Sequence, residues 1–215
     1  MKSIHILIAA FSLLFFSAKG QEIRSINQDR GIFTNVEWAQ HDTLLFIPQL
    51  WFYSGEYFFE LRYNYEDINT ISWYVGRSFT SDKKISYEVL PLAGVSFGKT
   101  LSISLGQKML FEYKNLSFES EGQFTFNLKE KNNSFLYNRS AFSFWFTEYT
   151  GIGAAHQLYS VYGDQLVNKA GPIVSLVYKS FDFQFAVLEF SKDEMMFYMG
   201  LGYRFPDSFR QDDKF

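Results

Sequence analysis

Hydrophobic and polar residues alternate with a period of two along most of this chain. Tyr57, Phe59, Leu61, Tyr63 and Tyr65 stand against Glu60, Arg62, Asn64 and Glu66. Near the C-terminus, Met195, Phe197, Met199, Leu201, Tyr203 and Phe205 stand against Met196, Tyr198, Gly200, Gly202 and Arg204. A period of two is the spacing of a strand, and a helical period fits neither segment. Followed throughout, the pattern predicts twelve strands, at about 32–39, 43–53, 57–66, 70–79, 84–95, 101–113, 116–127, 135–146, 149–159, 167–179, 181–190 and 195–205. Lys114-Asn115 and Lys179-Ser180 read as tight hairpin turns. Pro48, Pro91 and Pro172 fall inside these strands, where each removes a ladder donor and should mark a bulge or a strand end; ten strands is the fallback count.

The ordering of the connections adds to this. If the N-terminus starts on one side, both tight turns fall on that same side, and the longer polar links 128–134 and 160–165 fall on the other. Membrane barrels divide their connections in this way, with short periplasmic turns and longer outer loops. The stretch 31–205 allows about 15 residues per strand and connection, enough for membrane strands of ~9–11 residues. The fold class expected is therefore all-β: a single antiparallel transmembrane β-barrel. A soluble sandwich or lipocalin-like barrel would also alternate, but would have no core large enough to hide this aromatic face. Trp38, Trp51, Tyr53, Tyr57, Tyr113, Trp145, Tyr149, Tyr159, Tyr178 and Tyr203 lie at strand ends, where interfacial girdles are expected.

Composition narrows the address. Lys2, an apolar core over residues 6–16 and small residues at Ala18 and Gly20 form a secretory signal peptide, with cleavage expected before Gln21. No later apolar run approaches a spanning helix. Residues 21–30 would then be a periplasmic N-terminal segment, 31–205 the barrel and 206–215 a C-terminal tail. The chain is 20% aromatic, with 26 Phe and 14 Tyr, and has no Cys, which excludes a disulfide scaffold and a thiolate metal site. Twenty Lys+Arg against 23 Asp+Glu leave no basic field, so nucleic acid is not an expected partner.

The run Leu61-Arg62-Tyr63-Asn64-Tyr65-Glu66-Asp67, then Thr70, Gly98-Lys99-Thr100 and the closing Gly200-Leu201-Gly202-Tyr203-Arg204-Phe205 resembles small outer-membrane β-barrel proteins of Bacteroidetes-type envelopes. The resemblance covers most of the chain after the signal peptide and implies fold and location, with no assigned activity. It implies lipid and the barrel assembly machinery as partners, and no cofactor. Such barrels end on a terminal aromatic, whereas here Pro206 follows Phe205, so Phe205 and Phe215 compete for the role of assembly signal.

With the aromatic faces turned to lipid, Glu37, Glu60, Arg62, Glu88, Lys108, Glu112, Glu119, Glu121, Arg139, Asp182 and Arg204 are expected to face the lumen. A Lys or Arg at mid-depth on the lipid side would cost ~2–4 kcal/mol. These groups either pair into a rigid filling or line a polar conduit whose acidic excess favours cations or small polar solutes. Gly151, Gly153, Ala155, Gly171, Gly200 and Gly202 are small lumen positions that would leave room for a pocket. Tyr74, Tyr137 and Tyr198, with Arg139 and Arg204, could form a stacking surface.

Lipid-modifying chemistry, the third reading, would need a Ser and a His. His41-Asp42 falls in a loop, His156 points to lipid, and Ser160 is awkwardly spaced from it. No G-x-S-x-G surrounds any serine, and Gly151-Ile152-Gly153 precedes no helix, so neither hydrolase nor nucleotide chemistry is expected.

Overall fold

The computed structural model describes residues 30–39, 43–162, 166–189 and 195–205, with side chains from residue 45 onward together with that of Ile32. The expected signal peptide, most of the segment 21–30, His41-Asp42 and the tail 206–215 lie outside the described residues.

Thirteen strand segments are described: β1 (Arg30–Ala39), β2 (Thr43–Ser54), β3 (Tyr57–Tyr63), β4 (Thr70–Arg77), β5 (Phe79–Asp82), β6 (Ser86–Gly98), β7 (Ser102–Tyr113), β8 (Leu116–Asn127), β9 (Phe135–Trp145), β10 (Thr150–Val161), β11 (Val167–Tyr178), β12 (Phe181–Leu188) and β13 (Met196–Phe205). Segments β4 and β5 are two pieces of one strand. They hold one register against β6, with Gly76 opposite Leu92 and Phe79 opposite Val89. Their gap falls opposite Pro91, which has no N–H to offer across it. Twelve antiparallel strands therefore follow one another around the sheet, and β1 pairs with β13 from Arg30 opposite Phe205 to Ala39 opposite Met196, closing the barrel.

The other two prolines follow the same logic. The β2–β3 ladder begins at Gln49, just after Pro48, and the β11–β12 ladder begins at Ile173, just after Pro172. Each proline stays inside its strand and gives up one ladder only.

Both two-residue turns, at Lys114 and Lys179, open on a residue with φ of 54°. A positive φ matches hairpin twist to strand twist. They share a rim with the β2–β3, β5–β6 and β9–β10 turns and with the barrel ends at Arg30 and Phe205.

Alternate residues are buried along β3, β4 and the outer half of β6, and side chains from non-adjacent strands meet at the buried positions, so that face lines the lumen. The other face is hydrocarbon exposed on the outside: Trp73 is 64% and Leu105 65% accessible. Ring contacts Tyr87–Phe111, Phe111–Phe118, Tyr149–Tyr178 and Phe181–Tyr203 run along the short-turn rim on this outer face. An apolar belt with an aromatic rim is the outer surface of a barrel that sits in lipid.

Two expectations are corrected here. Tyr57, Tyr113, Tyr149, Tyr178 and Tyr203 face outward, but Trp51, Tyr53, Trp145 and Tyr159 belong to the inward parity of their strands. Trp51 and Tyr53 pack on a buried cluster of Phe58, Tyr74, Leu90 and Leu92, and Trp145 is buried with its indole N–H donating to Ser117 Oγ at 2.8 Å. A rim aromatic can cap the interior as well as anchor in lipid, and only register decides which. The strand expected over 57–66 stops at Tyr63, because Asn64 has φ of 59° and turns the chain inward.

Candidate functional site

The site is the lumen, built around Arg62. Alternation on β3 places Glu60 and Arg62 inward, two residues apart on one face. Arg62 is 1% exposed, and its Nη2 lies 2.7 Å from Glu60 Oε2 and 2.7 Å from Glu121 Oε1 on β8, across the lumen. Its Nη1 donates to Gln123 Oε1 at 3.3 Å. Lys108 on β7 closes the group, with its Nζ 2.6 Å from Glu60 Oε1. The guanidinium also sits between two rings, 4.2 Å from the centroid of Tyr65 and 4.3 Å from that of Tyr74. Burying these charges is tolerable because each is matched by an opposite charge and by hydrogen bonds.

The connection between β3 and β4 completes this layer from above. Asn64 and Asn69 both take positive φ, at 59° and 61°, a backbone state that Asn tolerates better than most residues. Asn69 N donates to Asn64 Oδ1 at 2.8 Å, and Asn64 N to the Thr70 carbonyl at 2.9 Å, so the loop is internally tied. Outside, Asp67 accepts from Lys99 Nζ at 3.0 Å and Thr100 Oγ1 at 3.2 Å. Inside, the Tyr65 hydroxyl donates to Glu121 Oε1 at 3.3 Å and its ring meets Tyr137 edge-on, while Glu66 accepts from Ser72 and Tyr74. The loop thus folds down into the barrel and covers the small hydroxyls of β4, β6, β7 and β8.

Two cavities flank the layer. One, of about 310 Å³, lies toward the long-loop rim, between the inturned loop and β2, β9 and β10, with Ile47, Tyr65, Glu66, Tyr137, Gln157 and Tyr159 in its wall. The other, of about 170 Å³, is walled by Glu88, Lys108, Glu119, Glu121, Arg139 and Ala141. Arg62 and its partners stand between them.

The remaining candidates are placed as follows. Arg139 lies beside Glu121 as its cross-strand neighbour, with its guanidinium 4.4 Å from the Tyr198 ring. Glu119 accepts from Gln184 Nε2 at 2.8 Å across the lumen. Glu88 accepts from the Tyr53 hydroxyl at 3.1 Å and from Ser78. Glu112 is half-buried between Ser86 and Ser117 in the ladders. Asp182 and Arg204 pair at 2.7 Å near the short-turn rim, remote from Arg62. Glu37 stands opposite Tyr198 and Leu45 in register, and its side chain lies outside the described residues.

The glycine-lined room is filled. A Cβ at Gly151 would stand 2.9 Å from the Trp145 ring, and Ala141, Ala155, Ile173, Ala186, Leu188, Met196 and Tyr198 form a packed cluster beside it. The cavities lie beside this cluster, one between the inturned loop and β2, β9 and β10 and the other between the charged strands and Ala141. Tyr65 is the lumen residue that alternation misplaces, and Gln123 shares the inward parity of Glu119 and Glu121 without a charge to single it out; the two asparagines five positions apart were the available signal for the loop.

His156 faces outward and bonds Asn168, with its Nε2 2.7 Å from Asn168 Oδ1. Ser160 shares that face of β10 but sits four residues away, roughly 13 Å along the strand.

No family model matches the chain, and no curated protein matches it in sequence. Its fold is that of porin barrels. It is similar to a KdgM porin solved in complex with disordered oligogalacturonate, at 11% identity and a TM-score of 0.58, over 82% of this chain and 99% of that one. It is likewise similar to the NanC porin, at 10% identity and a TM-score of 0.53, over 82% of this chain and all of that one.

Proposed function

We propose that the protein is an outer-membrane β-barrel of a Bacteroidetes-type envelope, delivered by a cleaved signal peptide and folded into lipid by the barrel assembly machinery. It acts as a narrow passage for cations and small polar solutes rather than as an enzyme, and uses no cofactor. The observation that carries this is the pair of cavities facing each other across one thin layer of side chains. Removing that layer would join them into a path. The layer hangs on a loop held into the lumen by the hydrogen bond Tyr65 donates to Glu121 and those Glu66 accepts from Ser72 and Tyr74, and loops move on ns–μs and longer timescales. Glu60, Glu66, Glu88, Glu119 and Glu121 outnumber Arg62, Lys108 and Arg139 along the path, which favours cations. Such a lumen is ill suited to a polyanion such as the oligogalacturonate named with the KdgM porin.

The competing reading is a structural barrel with a filled interior, favoured by the burial of Arg62. Planar-bilayer recording separates the two. The refolded chain 21–215, its folding checked by heat-modifiable gel migration, is expected to give rare, small, cation-selective openings. Tyr65→Ala with Glu66→Ala is expected to raise open probability roughly tenfold, the effect of losing about 1.4 kcal/mol of latch energy. Glu119→Gln with Glu121→Gln should shift the reversal potential in a KCl gradient toward anions. Silence from both the wild-type and the loop-variant barrels, each shown to be folded, would establish the filled interior instead.

A further inference from the structure

The lipid-facing wall is not uniform. On β12, β13, β2, β3, β4, β6 and the outer half of β7 the outward residues along its mid-depth are apolar. On the wall from β7 to β11, Ser140 and His156 stand at mid-depth, with Gln107, Ser120, Asn138 and Asn168 around them on the same face. The registers make them neighbours. Gln107 is opposite Gly122 and Gly122 opposite Asn138; Ser120 is opposite Ser140 and Ser140 opposite His156. Ser140 and His156 lie near the middle of β9 and β10, at the depth where hydrocarbon is expected.

These groups form a connected polar surface. Ser120 Oγ lies 3.0 Å from Ser140 Oγ, Asn138 Nδ2 donates to Ser120 Oγ at 3.2 Å, and Ser140 Oγ donates to Asn138 Oδ1 at 3.0 Å. The wall is also cut to seat them. Gly122 has no side chain, and a Cβ there would stand 2.8 Å from Asn138 Nδ2. Ala154, Ala170 and Pro172 keep the rest of the surface low.

Lipid tails cannot answer these groups. Each Asn amide offers two donors and two lone pairs, and each imidazole a second nitrogen, so the surface keeps hydrogen-bonding capacity beyond its internal bonds. In hydrocarbon, unused capacity of this kind is costly, and small plus polar side chains are what membrane-embedded partners use to hold each other. We infer that the β8–β11 wall is an interface for a second copy of this chain, packed barrel to barrel in the membrane plane about a two-fold axis.

Three features select a second copy over another partner. The surface must be matched at the middle of the membrane, and an identical barrel carries the matching groups at the same depth by construction. The patch mixes donors and acceptors without formal charge, so apposing it to itself brings complementary groups together and creates no repulsion. A wall four strands wide and as tall as the apolar band offers about 480 Å² per copy, somewhat over half of the ~800 Å² of a standard interface.

The chain lacks cysteine, so single thiols can map the wall. Full-length mature Ser140→Cys and Val75→Cys are reconstituted separately in phosphatidylcholine vesicles and oxidised with copper phenanthroline. Ser140→Cys is expected to yield cross-linked dimer roughly tenfold faster than Val75→Cys, which faces outward on β4, across the barrel from the wall. In parallel, fluorescently labelled barrels carrying Asn138→Leu, Ser140→Val and His156→Leu are expected to lose two-step photobleaching while keeping heat-modifiable migration. Equal cross-linking at the two positions, one-step bleaching of the unmodified chain, or cross-linking in native membranes only to a different protein would each overturn the interface. If the triple variant does not fold, the thiol pair decides alone. None of these readouts depends on conductance, so the interface and the passage stand or fall separately.

Discussion

The two halves of the lumen solve the same problem with opposite chemistry. From β3 to β8 the interior is charge and hydroxyl: Glu60, Arg62, Lys108, Glu121 and Gln123, roofed by an inturned loop. From β9 to β13 it is centred on hydrocarbon, with Ala141, Ala155, Ile173, Ala186, Leu188, Met196 and Tyr198 in one cluster and Arg139 and Gln184 at its border with the charged half. Hydrocarbon packing is insensitive to salt and has one closed arrangement. A buried ion-pair layer holds only while every partner is present, and it can be unmade one hydrogen bond at a time. The charged half is therefore where a gate can be built, and the apolar half is the frame against which it moves.

The largest break in this comparison comes from Arg62. Arg62→Ala leaves Glu60, whose side chain is wholly buried, with Lys108 as its remaining cation, and removes the group clamped between Tyr65 and Tyr74. Removing one partner of a buried pair costs ~3–5 kcal/mol. Urea unfolding of the barrel in phosphatidylcholine vesicles, followed by tryptophan fluorescence, is expected to show a loss of this size. Arg62→Met combined with Glu60→Gln should recover a large part of it, because no buried charge is then left without its partner. A loss from Arg62→Ala no greater than that from an exposed pair would mean that the layer is hydrated and open, and that the two halves differ little.

The fold was legible because alternation is unusually strict in this chain. Tyr57, Phe59, Leu61 and Tyr63 on one parity, with Glu60 and Arg62 on the other, define both faces of β3, and Lys179-Ser180 marks a turn without ambiguity. Even the prolines, which read as breaks, obey the pattern: each gives up one ladder and keeps the other. What alternation could not convey was anything that departs from a strand. Tyr65 continues the apolar parity of β3 and so reads as lipid-facing, yet Asn64 turns it into the lumen against Glu121. Trp145 and Trp51 read as girdle residues because composition places aromatics at rims without saying on which side. Partnering was hidden for a related reason. Glu60 and Lys108 are 48 residues apart, and the pairing of Arg62 with Glu121 depends on barrel closure, a global property with no local signature.

A second test sharpens the contrast from the apolar side. Ile173 is buried in the cluster, between Gly153 and Ala186 in the ladders. Ile173→Ala removes methylene groups and leaves a cavity, for an expected cost of ~2–4 kcal/mol. This loss should be the same at pH 5 and pH 8 and at low and high salt, since the cluster carries no charged group. In bilayer recordings Ile173→Ala should leave ion selectivity as it is. A change in selectivity would show that the frame also shapes the path.

The smallest effect comes from the same ion-pair chemistry moved into the apolar half. Asp182 and Arg204 lie 2.7 Å apart at the short-turn rim, with side chains 18% and 34% exposed. Arg204 offers both Nε and Nη2 to one carboxylate oxygen, so the geometry is at least as good as that around Arg62. Arg204 differs from Arg62 in its solvent access and in having a single carboxylate partner among the ion pairs described. A pair open to water is screened and gains little net energy, so Asp182→Asn is expected to cost under ~1 kcal/mol. In about 1 M salt, where the screening length falls to ~3 Å, that cost should disappear, whereas the loss from Arg62→Ala should persist because ions do not enter the layer. If instead both losses vanished together in salt, water and ions would already be reaching Arg62, and the layer between the two cavities would be a filter through which solutes pass without any movement of the loop.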